Sequence, residues 1–150
     1  MTEEELRLYR RAMTKLSCGD ATPQGLYFRL IDGKYGAVDH EAAKAVVRLL
    51  HREGFLNEER SYEALLDEGK RKFWGAKKLR EELKKRRFSK KYEERFCEEE
   101  IDYAQRAREF ARGFSAPATD KERESLFRKL IAKGFTLEQA SEAVRYAEKE

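Results

Sequence analysis

The sequence predicts an all-α protein made of tandem repeats of three-helix units, about nine helices in all, forming an elongated, curved array. Three observations predict this. The 150 residues contain only two prolines and are rich in Glu, Lys, Arg, Leu and Ala, which favour helix over strand. With 41% of the residues charged, 40% hydrophobic and a mean hydropathy of −0.90, the core must be narrow, as in stacked helices that each bury one stripe. Finally, one apolar frame, with offsets of four and five, occurs three times: Leu26, Leu30 and Tyr35 in "LYFRLIDGKY"; Leu79, Leu83 and Phe88 in "LREELKKRRF"; and Leu126, Leu130 and Phe135 in "LFRKLIAKGF". A unit that cannot bury its own stripe must lean on the next, and such arrays present long surfaces.

The frame marks the second helix of each copy. In the first copy, residues 3–17 carry Leu6, Tyr9, Met13 and Leu16 at spacings of three and four, one helical face. Thr22 reads as an N-cap with Pro23 at the first helical position, and the helix over 23–32 is bracketed by Gly33 and Gly36. Asp39 caps a third helix with the stripe Ala42, Ala43, Val46, Val47 and Leu50, which Gly54 stops. The second copy opens with Asn57 as N-cap of a helix whose first turn is acidic and last turn basic, as the helix dipole favours. Gly75 breaks the chain before a helix over 77–88, and Ser89 separates it from another over about 90–101. In the third copy Tyr103, Ala107, Phe110, Ala111 and Phe114 line the first helix, and the linker "GFSAPATD" follows. Thr119 and Glu122 read as a capping box before the second helix, and "LEQASEAVRYAEKE" is the last. The expected organisation is a single domain over 1–150 with repeats at 3–55, 56–101 and 102–149.

Several function classes lack their chemistry. Cys18 and Cys97 match no metal-ligand spacing and no disulfide framework. No apolar run has signal-peptide or membrane-span length, so a soluble, cytoplasmic protein is expected, as a monomer with no membrane association. Neither G-x-x-x-x-G-K-[ST] nor G-x-G-x-x-G occurs. His40 and His51 stand apart from any cluster of ligands, and a solvated or helix-dipole role is expected for them. The acidic run "YEERFCEEEID" reads as a solvated face whose charge opposes a thiolate at Cys97. The expectation is therefore no catalytic residue, cofactor or metal, and no enzyme activity.

Charge is the positive signal. The formal net charge is +4, yet Lys70, Arg71, Lys72, Lys77, Lys78, Arg80, Lys84, Lys85, Arg86, Arg87, Lys90 and Lys91 fall in one 22-residue segment against only Glu81 and Glu82. That segment is a strip of net +10 on a body of −6. Ordinary solvated faces mix both signs, so the twelve cations are the candidate residues for binding phosphates or an acidic protein groove. Trp74, beside the strip, is expected to be buried as a wedge between copies.

The stretch "GFLNEERSYEALLDEGKRKFWGAKKLREELKKRRF" resembles the signature region of the RecX family of bacterial recombination regulators. Gly54, Phe55, Leu56, Asn57, Glu58, Arg60 and Tyr62 match its first part; Gly75, Lys77, Lys78, Leu79, Glu82, Leu83, Lys85 and Phe88 match its second. "RESLFRKLIAKGF" is similar to that family's C-terminal repeat. Two features depart from the pattern: "KLSCGDATPQGLYFRL" lacks the usual basic residue and Glu-Leu pair, and Arg86-Arg87 stands where Lys-Gly is common. The resemblance implies a cytoplasmic negative modulator that binds along the groove of the RecA–DNA filament and inhibits ATP hydrolysis and strand exchange. A different class, a stand-alone nucleic-acid-binding protein of helix-turn-helix-like repeats, is the alternative. Against it, the helix over 77–88 has no Asn or Gln to read base edges.

Overall fold

The computed structural model describes residues 1–32 and 36–149. Gly33 and Tyr35, placed by the sequence at the end of the second helix and in the first apolar frame, lie outside the described residues. Among those described there are nine helices and no strand: α1 (Glu3–Ser17), α2 (Pro23–Leu30), α3 (His40–Arg52), α4 (Glu58–Arg71), α5 (Ala76–Lys85), α6 (Lys90–Cys97), α7 (Tyr103–Arg112), α8 (Asp120–Ala132) and α9 (Leu137–Glu148). The chain divides into two compact units, one of Met1–Glu63 with Lys84–Glu93, the other of Ala64–Leu83 with Glu94–Glu150.

In the first unit α1, α2 and α3 pack around Leu8, Ala12, Leu26, Leu30, Ala43, Val46 and Leu50, all buried. The α1 stripe differs from the expected one. Leu6 is exposed, Leu8 and Ala12 are fully buried, and Tyr9, Met13 and Leu16 flank them. The face therefore centres on Leu8 and Ala12, and small Ala12 shares its cluster with Ala42 and Ala43 of α3. Tyr62 is also fully buried here, its ring against Phe88 and Tyr92 at centroid distances of 6.3 and 5.1 Å.

The second unit buries Ala107, Ala111, Leu126, Leu130, Phe135, Ala140 and Ala143 among α7, α8 and α9. Leu79 and Leu83 are buried, as are all the frame residues that are described. Trp74 is buried at 8% exposure, and its carbonyl accepts a hydrogen bond from Arg106 at 2.8 Å.

Both units contain the same junction between copies. In the second, the Gly75 N–H donates to Lys133 O at 2.7 Å and the Lys77 N–H to Gly134 O at 3.2 Å, so the start of α5 caps the end of α8. A Cβ on Gly75 would lie 2.3 Å from Gly134 O, and one on Gly134 would lie 2.5 Å from Lys78 N. In the first unit the Thr22 hydroxyl accepts from Gly25 N–H at 3.0 Å and donates to Arg86 O at 2.6 Å, so the start of α2 meets the end of α5. By the repeat spacing Thr22 corresponds to Gly75, Gly25 to Lys78, and Arg87 to Gly134. Glycine has therefore changed sides. Gly134 faces Lys78 in one junction; in the other, Gly25 packs at the 86–87 turn, where its missing Cβ would lie 3.2 Å from Arg86 O.

Three expected helix ends shift. The helix over 23–32 stops at Leu30. The helix over 77–88 stops at Lys85, because Arg87 adopts the left-handed conformation (φ 57°) that glycine usually takes after a helix. The helix expected to reach 101 stops at Cys97: Glu98, Glu99 and Glu100 would place negative charge at a helix C-terminus, which the dipole disfavours. Asp102 then caps α7 by accepting from the Gln105 N–H at 3.0 Å.

Candidate partner-binding surface

The residues that carry the family resemblance are mostly scaffold. Asn57 caps α4, its side chain accepting from the Arg60 N–H at 3.1 Å. Glu58 accepts from both the N–H (2.7 Å) and the hydroxyl (2.8 Å) of Ser89, fixing the start of α6. Leu56, Tyr62, Leu79, Leu83 and Phe88 are core, and Gly75 is the junction. Glu82 is buried and pairs with Lys78 at 3.5 Å.

The cationic strip has the opposite character. Lys70, Arg71, Lys72, Lys77, Lys78 and Arg80 belong to the second unit; Lys84, Lys85, Arg86, Arg87, Lys90 and Lys91 belong to the first. All are exposed except Lys78 and Arg86, which are half-buried. Three of the second unit's cations have structural roles. Lys72 pairs with Glu68 at 2.8 Å, and the ammonium groups of Lys72 and Lys78 lie 5.3 and 5.5 Å from the Trp74 ring centre. Arg80 lies near Tyr103, whose phenol is pushed up by burial against the pull of Arg106 and Arg80. Burial likewise lowers Arg106 from the ordinary guanidinium value. Lys70, Arg71, Lys77, Lys84, Lys85 and Lys90 have no ion-pair partner among the described residues. They are free to meet an anion from outside the chain.

In the first unit the Arg87 guanidinium lies 3.9 Å from the ring centre of Phe28. This stack is not visible in sequence, because the two residues belong to different copies. The departure at position 87 from the usual glycine was its one signal.

Other candidates form no site. The Tyr27 hydroxyl and His40 Nδ1 are 3.4 Å apart. Cys18 and Cys97 are exposed free thiols, and among the described residues no group of three His, Cys, Asp or Glu side chains could hold a metal. No helix among the described residues is long and apolar enough to cross a membrane.

Three-helix copies with no strand among the described residues, the described residues of each second-helix frame buried and cations outside it, define a class of all-α repeat protein. A solved structure to which it is similar is RecX from Lactobacillus salivarius: the two superpose with a TM-score of 0.72 over 100% of each chain, at 13% sequence identity. The chain therefore has the RecX fold. No family model matches the sequence, and no curated protein does.

Proposed function

We propose that this protein is a RecX-like negative modulator of RecA recombinase, binding along the groove of the RecA–DNA filament and inhibiting ATP hydrolysis and strand exchange. The observation that carries the reading is the full-length likeness to a RecX structure, to which the signature-like stretch 54–88 adds independently. The strip supplies the chemistry: exposed lysines and arginines without internal partners are available to phosphates or to acidic groups of a filament. In this reading the protein is a cytoplasmic monomer that hydrolyses nothing and inhibits by occupying its partner. The alternative, a stand-alone nucleic-acid-binding protein of helix-turn-helix-like repeats, fits less well, since α5 contains neither Asn nor Gln to read base edges.

The test is a titration of the protein into a RecA ATPase assay on single-stranded DNA. Inhibition that rises with added protein is expected. An unchanged rate at stoichiometric protein would sink the reading.

A further inference from the structure

We infer that Arg87 and Phe28 form a stacking platform for single-stranded nucleic acid, with a base lying on the guanidinium plane and a phosphate on its N–H edge. Four observations converge on this pair. Arg87 holds a left-handed backbone (φ 57°) at the position where the next copy has Gly134, so the chain keeps a side chain where its own repeat uses none. The guanidinium carbon sits 3.9 Å from the centre of the Phe28 ring, which is itself 37% exposed. Arg87 has no carboxylate within ion-pair distance among the described residues, unlike Arg60, Arg108 and Arg123. The platform is also held in place. The Thr22 hydroxyl binds Arg86 O at 2.6 Å, and the Tyr27 ring meets Phe28 edge-on at 5.3 Å, so α2 supplies both the ring and the anchor for the turn that bears the guanidinium.

A guanidinium pinned on one face by an aromatic ring keeps its other face and its donor edge, the combination that accepts an unstacked base and its phosphate. Lys84, Lys85 and Lys90 on the same turn and its flanking helices add positive charge with no anion of their own. A duplex hides its base faces, and an acidic peptide would use the charge and leave the plane unused. The unpaired strand uses both. This inference does not rest on the filament reading.

The experiment measures fluorescence anisotropy of a labelled oligothymidine with the full chain, alongside thermal unfolding by circular dichroism, for wild type, R87G, R87K and F28A. R87G is expected to retain or raise Tm, since glycine suits the left-handed backbone, while weakening strand binding about tenfold. R87K and F28A are expected to weaken it comparably, because lysine keeps the charge without the plane and alanine removes the ring. The inference is overturned if wild type does not bind the strand, or if R87G or R87K binds as wild type does. It is also overturned if R87G lowers Tm, which would assign the arginine to folding, or if a polyglutamate peptide binds with the same loss in R87K, which would assign the platform to protein. Its failure would leave any effect on RecA's ATPase standing, so the two ideas fall separately.

Discussion

Gly75 shows how little room a junction between copies leaves. Its Cα faces the carbonyl of Gly134, where a Cβ would sit at 2.3 Å, and backbone cannot yield as a side-chain tip can. Gly75→Ala is therefore expected to lower stability by roughly 2–3 kcal/mol, read from urea unfolding. Gly25→Ala, at the corresponding junction in the first unit, meets the Thr22 hydroxyl at 2.9 Å, a side-chain atom that can shift, and the backbone at Arg86 O only at 3.2 Å, and is expected to cost about 1 kcal/mol. Equal losses would contradict the difference in approach distance. The sequence marks Gly75 as a break between helices, which it is. What it does not disclose is the carbonyl opposite, because that belongs to another copy and is set by packing. Arg87 is the converse case: it reads as a departure from a pattern, and the structure shows it in a left-handed backbone (φ 57°) with Gly25 lying against the carbonyl of the preceding Arg86.

Helices were legible where their signals are local. Thr22, Asp39 and Asn57 each accept a hydrogen bond from the first turn of the helix they precede, as short polar side chains at such positions do. The capping box expected at Thr119 and Glu122 is only half formed. Thr119 accepts from the Glu122 N–H at 3.1 Å, but Glu122 reaches one residue further back, to the Ala118 N–H at 3.0 Å. The complete box lies at Thr136 and Gln139, in "TLEQ", with both bonds present at 3.1 and 2.9 Å. Thr136→Ala is accordingly expected to destabilise the protein by about 1 kcal/mol, since α9 packs on both α7 and α8. Gln139→Ala, which removes only the reciprocal bond, should cost a few tenths of that figure, about 0.3 kcal/mol. Chemical denaturation of the two variants checks the order, and a larger loss for Gln139→Ala would refute it. The α1 stripe departs from its expected position for a non-local reason, the packing of Ala12 with Ala42 and Ala43 of another helix, whereas the end of α6 follows a local signal, the run of like charge beyond its last turn.

At the scale of the molecule, the recurring frame foretells the nine helices found among the described residues, because burial of one stripe per helix is written in the spacing of leucines. It did not foretell which residues form each compact unit, since these gather around the junctions where one copy meets the next. Charge was legible as composition and incomplete as mechanism. Twelve cations share the segment 70–91, yet Lys78 is tied to buried Glu82 and lies over Trp74, so reversing it would put two carboxylates together and test folding instead of binding. Lys77, Lys84 and Lys85 are exposed and unpaired, so Glu at all three should leave helicity by circular dichroism intact. The same triple change should raise the concentration needed for half-inhibition of RecA's ATPase by at least about tenfold, the equivalent of ~1.4 kcal/mol. Reversal of Arg48, Lys121 and Arg145, also exposed but outside the strip, changes the net charge by the same amount and should have little effect. Added salt should weaken inhibition by wild type more than by the strip variant, whose screened contacts are already gone. If both triple variants lose inhibition equally, overall charge governs the encounter and the strip has no special part in it.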